Sequence, residues 1–196
     1  MNLPNRLTVG RIVLVPFFVA ALLIDFPFHY IVSLAIFAIA SITDLLDGKI
    51  ARKHNLVTDF GKFADPLADK ILVLAALLCF VQSGLCDCIA VIIILFREFA
   101  VTSIRLIAAS NGKVVAANIW GKAKTVSQMI AIIAILLMQF VLELIEMGVF
   151  GNTELYIALF PVLTIIGFVL VWISTVFAII SGVIYINQNK KFINEK

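Results

Sequence analysis

Three stretches of the chain, 12–48, 71–96 and 125–189, contain no lysine or arginine. A segment crossing hydrocarbon must satisfy its backbone hydrogen bonds internally and needs about 20 mainly apolar residues to do so as a helix. Of the 196 residues 63% are hydrophobic, against about 45–50% in a soluble domain, so the sequence predicts an all-α integral membrane protein. The first and last of these stretches are each long enough for two helices. The middle one is broken by "QSGLCDC" at 82–88. It becomes a hairpin whose arms reach across only if Lys70 and Arg97 lie below the membrane surface. Six transmembrane helices follow, at about 5–24, 30–53, 61–83, 89–110, 119–145 and 155–187, in a single membrane domain over 1–196. The opening "MNLPNRLTVGR" reads as the start of the first helix, not as a removed leader. The connections at 25–29, 84–88 and 146–154 carry no Lys or Arg, and all 15 basic residues fall on or near the other side. The positive-inside rule then predicts that both termini and the polar segment face the cytoplasm.

That polar segment, "TDLLDGKIARKHNLVTDFGKFADPLADK" from Thr43 to Lys70, gathers five of the twelve acidic residues. Charge near lipid costs a few kcal/mol per group and marks function by default. Asp44 and Asp47 are i and i+3 on helix 2, and Asp65 and Asp69 are i and i+4 on helix 3, so each pair shares a helical face. A short loop at 54–60 makes the two helices antiparallel neighbours, on which the pairs can converge. Four carboxylates so close repel unless they are protonated, as in a proton relay, or bridged by divalent cations. All-oxygen ligands favour Mg²⁺, Mn²⁺ or Ca²⁺ over zinc, and a two-metal site suits phosphoryl transfer. Gly48, Ala51 and Gly61 lie on the same stripes, and small residues there mean either close helix packing or room for a ligand. Arg52 serves either an anionic group or the helix C-terminus.

These residues form D-x2-D-G-x2-A-R-x8-G-x3-D-x3-D from Asp44 to Asp69 without a departure, a pattern that resembles the signature of the CDP-alcohol phosphatidyltransferases. The resemblance implies a six-helix membrane enzyme that moves a phosphatidyl group from a CDP-linked lipid to an alcohol and releases CMP. It implies two divalent ions, Mg²⁺ or Mn²⁺, with Asp44, Asp47 and Asp65 as ligands. Asp69 is implied as the base facing the acceptor hydroxyl and as a further ligand. Around the nucleotide it implies Gly48, Ala51, Gly61 and Arg52, and next to them we expect Thr43 and Asn5, the latter reaching the diphosphate. Membrane lipids and a second copy of the chain are the partners implied; no nucleic acid is.

Three further segments, "LPNRLTVGRIVLVP", "REFAVTSIRL" and "GKAKT", resemble the branch of that family whose acceptor is glycerol 3-phosphate and whose donor is CDP-diacylglycerol. The residues themselves point the same way. Arg97 and Arg105 are two turns apart on helix 4, Lys122 and Lys124 begin helix 5, and Lys62, Arg11 and Thr8 are expected near the same mouth. Such a cluster suits a phosphate better than a neutral inositol or a zwitterionic serine. Glu98 points about 100° from Arg97 on an ideal helix, so it is expected to be a poor permanent partner and to pair with a neighbouring helix instead. Other acceptors, serine or inositol phosphate, and an ion or proton carrier are the competing readings. Against the carrier, the aspartates cluster at one end of their helices and no inverted repeat is visible. Cys79, Cys86 and Cys88 are expected to be free thiols, His29 and His54 to be without a special role, and Tyr30, Trp120 and Tyr156 to sit at membrane interfaces.

Overall fold

The structure, a computed structural model, describes residues 3–53, 59–110, 119–149 and 152–189, and within them all side chains except those of 3, 4, 6, 44–53, 59–67, 69 and 110. The described residues form six helices and no strand: α1 Leu3–Leu23, α2 His29–Lys53, α3 Asp59–Gln82, α4 Cys88–Ser110, α5 Ile119–Glu146 and α6 Thr153–Gln188. Every expected helix is present, with ends within about two residues of those the sequence predicts.

The turns explain why the breaks fall where they do. At the end of α3, Gly84 takes φ 71°, its N–H donates to the Val81 carbonyl at 3.1 Å, and the Leu85 N–H donates to Phe80 O at 2.8 Å. This paired closure satisfies carbonyls that the last turn leaves open, and its left-handed residue is cheapest as glycine. α5 ends the same way, with Gly148 at φ 71° donating to Ile145 O and Val149 donating to Leu144 O, both at 3.0 Å. On the far side of each turn a side chain starts the next helix. Asp87 Oδ1 accepts from the Ile89 N–H at 2.9 Å, and Asn152 Oδ1 accepts from the Leu155 N–H at 3.0 Å, each satisfying an orphan donor of a first turn.

α1 packs against α2 and α3, α6 against α5 and α4, and α2 meets α5. The core between them is built from large apolar side chains with no exposure, among them Phe18, Phe37, Leu77, Phe80, Ile94, Ile132 and Leu136. The Phe18 and Phe37 rings lie 5.8 Å apart, a tilted pair that joins α1 to α2. The outside is equally apolar. Ile165, Val169, Ile173, Val176 and Val183 along α6 are all exposed, a surface that water does not favour and lipid does.

Among the described residues α5 and α6 are long and apolar enough to cross a membrane by length and composition. Shorter apolar runs occupy Leu7–Leu23, His29–Thr43 and Lys70–Gln82. α4 carries Arg97, Glu98 and Arg105 within its length, and those charges are where the site begins.

Candidate active site

Glu98 on α4 is the centre of a charged cluster contributed by four helices. Its Oε1 accepts from Arg97 Nη1 at 2.6 Å and lies 2.9 Å from Lys124 Nζ of α5, while its Oε2 lies 3.9 Å from Lys70 Nζ of α3. Lys70 also donates to Thr102 Oγ1, whose hydroxyl in turn donates to the Glu98 carbonyl at 2.6 Å. From α6, the Ser181 hydroxyl accepts from Arg97 Nη2. One carboxylate therefore holds three cations, and Lys124 among them is only 5% exposed. In a low-dielectric setting such pairs are strong because each ion would otherwise be stranded.

The expectation that Glu98 would be a poor partner for Arg97 is overturned by the 2.6 Å contact. Adjacent helical residues diverge by about 100° at Cα, but two long side chains can close that gap beyond the helix surface. Glu98 also pairs with neighbouring helices, as the sequence predicts, and it does both at once.

Two features keep Arg97 in place yet leave it able to bind. Gly182 of α6 lies against its stem: a Cβ at that position would come 3.0 Å from Arg97 Cγ and 3.9 Å from its Cβ. The Arg97 Nε is buried with no hydrogen-bond partner among the described residues, a donor that an incoming anion would satisfy.

Between α3, α4 and α5 opens a cavity of about 470 Å³, whose wall includes Lys70, Arg97, Glu98, Thr102, Arg105 and Lys122. Among the described lining side chains four are basic and one is acidic, a formal +3. The volume lies in the roughly 300–1,000 Å³ range of small-molecule sites. Arg97 and Arg105 thus share one cavity, as their spacing predicts, with Lys122; both Arg105 and Lys122 are exposed. Lys124 lines a smaller recess beside it, next to Lys70, Glu98 and Gln128.

On α1, Asn5, Thr8 and Arg11 are buried, Arg11 to 1% exposure. A guanidinium so deep in an apolar bundle is unusual and agrees with a polar lining at this end of α1. Thr43 donates its hydroxyl to the Ala40 carbonyl at 2.7 Å, leaving its oxygen free to accept. Asp44, Asp47, Gly48, Ala51 and Arg52 lie on the last turns of α2, and Gly61, Lys62, Asp65 and Asp69 on the first turns of α3; their side chains lie outside the described residues, as do His54 and Lys113 altogether. The helical backbone is continuous through both aspartate pairs. Among the described residues the cavity wall includes Lys70, the residue after Asp69.

Sequence reasoning did not assign Lys70, Thr102, Ser181 or Gly182 to the site. Lys70 was legible as a submerged charge. Ser181 and Gly182 leave a weaker trace, a small polar pair in the otherwise apolar run "FAIISGVIYI" of α6.

The family model for CDP-alcohol phosphatidyltransferase matches residues 1–180. The chain belongs to this family. Among the relatives of this CDP-alcohol phosphatidyltransferase, a CDP-diacylglycerol–glycerol-3-phosphate 3-phosphatidyltransferase of Bacillus subtilis is 47% identical over 171 residues, covering 81% of this chain and 88% of its own. A protein of the same description from Rickettsia bellii is 36% identical over 191 residues and covers 97% of both chains. The counterpart in Haemophilus influenzae is 41% identical over 135 residues, 67% of this chain and 73% of its own. All six helices of the phosphatidyltransferase fall wholly or partly within the span matched by the family model.

Proposed function

We propose that this protein transfers the phosphatidyl group of CDP-diacylglycerol to glycerol 3-phosphate, giving phosphatidylglycerophosphate and CMP. The cavity whose described wall carries Lys70, the residue after Asp69, together with Arg97, Arg105 and Lys122 is the observation that carries the acceptor. The relatives' descriptions name the same donor and acceptor. The whole chain, 1–196, acts as a single domain of six membrane-spanning helices, with both termini and the aspartates on the cytoplasmic side and two copies in the working assembly.

The donor set of the signature fits divalent cations: four carboxylates, hard oxygen ligands, in two same-face pairs on continuous helices. Asp44, Asp47 and Asp65, with Asp69, would hold two ions, Mg²⁺ or Mn²⁺. When bound, such ions neutralise charge on the phosphoryl oxygens and on the departing CMP.

The chain's own residues do the rest. Arg105, Lys122 and the Arg97 guanidinium bind the acceptor's phosphate, with Lys62, Lys124, Arg11 and Thr8 near the same mouth, and this holds the far hydroxyl toward Asp69. That hydroxyl oxygen forms the new bond to the lipid-bearing phosphorus as the bond from phosphorus to the CMP oxygen breaks. Asp69 orients the hydroxyl and takes its proton late, because a carboxylate with a reference pKa near 3.9 is a weak base early in the reaction. Gly48, Ala51 and Gly61 leave space for the nucleotide, with Arg52, Thr43 and Asn5 beside it.

Purified protein is to be given CDP-diacylglycerol with radiolabelled glycerol 3-phosphate, serine or inositol phosphate, and CMP release followed with and without a chelator. Metal-dependent release with glycerol 3-phosphate alone is expected. Release with serine or inositol phosphate would reassign the acceptor. No release, together with cation flux in vesicles, would replace the enzyme with a carrier.

A further inference from the structure

At the end of the bundle opposite the aspartates, a second polar cavity of about 230 Å³ lies where the α1–α2 turn, the α3–α4 turn, the end of α5 and the start of α6 meet. Asp25, His29, Tyr30, Glu143, Glu146 and Tyr156 line it. Glu143 is the telling residue, because this carboxylate is only 7% exposed in the apolar second half of α5. Its Oε1 accepts from the His29 backbone N–H at 3.1 Å, while its Oε2 is buried without a hydrogen-bond partner among the described residues, as is His29 Nδ1.

Three carboxylates therefore share this cavity, and the protein has almost nothing to balance them. Every lining residue falls within 12–48, 71–96 or 125–189, the stretches without a single Lys or Arg. A buried, half-satisfied carboxylate is costly, so a cation from outside the chain is the natural complement. A directly coordinated metal ion fits poorly, since among the described residues no three His, Cys, Asp or Glu side chains are grouped to hold one. The aromatic content points elsewhere. The Tyr30 ring lies 3.9 Å from the His29 ring, and Tyr156 stacks on Phe160 at 5.7 Å. Rings beside carboxylates suit an ammonium group, which gains from the π-face as well as from charge. At about 30 Å³ per water in the liquid, the cavity has room for a head group the size of ethanolamine or choline.

We infer that this cavity is a binding site for an organic ammonium group, held by the Glu143 carboxylate and walled by Tyr30 and Tyr156. It is independent of the transfer reaction, since its residues lie at the other end of the helices that carry the aspartates. The ammonium comes either from a free amine or from the head group of a membrane lipid.

Thermal unfolding of the purified full-length chain in a neutral maltoside, titrated with ethanolamine or choline chloride against sodium chloride of equal ionic strength, tests the free amine. Native mass spectrometry from nanodiscs of phosphatidylethanolamine, phosphatidylcholine or phosphatidylglycerol tests the lipid. The wild type is expected to show a saturable rise in unfolding temperature with at least one amine, or selective retention of an amine-bearing lipid. Glu143→Gln and Tyr156→Leu are each expected to weaken that response at least tenfold, with CMP release unchanged. Should Glu143→Gln fail to fold, Tyr156→Leu gives the same reading through the aromatic wall. The inference is overturned if neither arm responds, if the response is the same in the variants that fold, or if Mg²⁺ or a fall in pH reproduces it where amines do not, which would make a metal or a proton the complement of the carboxylates.

Discussion

Gly182 has a role that neither its residue type nor its helix announces. A methyl group there would stand 3.0 Å from Arg97 Cγ, closer than ordinary van der Waals contact, and Arg97 is pinned at its other end by Glu98 and Ser181. Gly182→Ala should therefore displace the guanidinium by a few tenths of an ångström with little effect on the fold. We expect the KM for glycerol 3-phosphate to rise about three- to tenfold, roughly 0.7–1.4 kcal/mol, with the KM for CDP-diacylglycerol unchanged; equal losses toward both substrates would move Arg97 out of the acceptor site. Glu98→Gln is a different kind of change. It removes the carboxylate shared by Lys70, Arg97 and Lys124 and should cost about 3–5 kcal/mol of stability, the usual penalty for breaking a buried pair from one side. A melting curve in detergent that matches wild type would show the cluster to be dispensable for the fold. At this scale the sequence was only partly legible. Arg97 and Arg105 could be grouped because their spacing on one helix fixes their relative positions, and Lys122 because it begins the next helix in the chain. The contacts of Glu98, Ser181 and Gly182 depend on how α3, α4, α5 and α6 pack together, which no local spacing encodes.

Elements were far easier to read, because the signals that end a helix are local. Glycine at a left-handed position and a capping Asp or Asn are visible in "QSGLCDC" and in "MGVFGNT", and both turns take the geometry those residues favour. The α3–α4 turn also carries two cysteines of opposite character. Cys88 is exposed at the start of α4, whereas Cys86 is buried in the turn, and burial, followed by the neighbouring Asp87 and Cys88, pushes its thiol from the ordinary 9.0 up to about 12. Only the thiolate alkylates readily. Cys88 should thus react with maleimide at pH 8 while Cys86 stays unmodified until the chain is unfolded, which mass spectrometry of the labelled protein will show. The same shift fixes a sign for stability. Between pH 9 and 12 the folded chain keeps a proton that the unfolded chain releases, so this contribution is full below pH 9 and lost as the pH rises toward 12. Similar labelling of both thiols at pH 8 in the folded protein would refute the burial of Cys86.

For the molecule as a whole, the distribution of charge is what carries the predicted orientation, because exclusion of Lys and Arg from a membrane face would act over the entire chain. In cells expressing a variant without its native cysteines, a cysteine placed at Asn152 should react with an impermeant thiol reagent from outside, and one at Asn55 should not. The reverse pattern would invert the orientation. The exposed apolar residues of α6 fit the same picture, since such an outer surface suits lipid better than water. What the sequence did not disclose is the second polar cavity. His29, Tyr30 and Tyr156 each have a common and unremarkable reading when taken singly, and they join Glu143 only through the meeting of four chain segments.

The carboxylate at the heart of the cationic cavity has a consequence for selectivity. With Glu98 in place, Lys70, Arg97 and Lys124 already have an anion to face, so the cavity at rest is not a bare trap for any negative ion that passes. A newcomer has to compete with a tethered rival whose local concentration never falls. On the proposed reading, a dianionic phosphate would compete with Glu98 for Arg97 while also engaging Arg105 and Lys122, which Glu98 does not hold, whereas chloride or a lone carboxylate, engaging fewer donors at once, would be turned away.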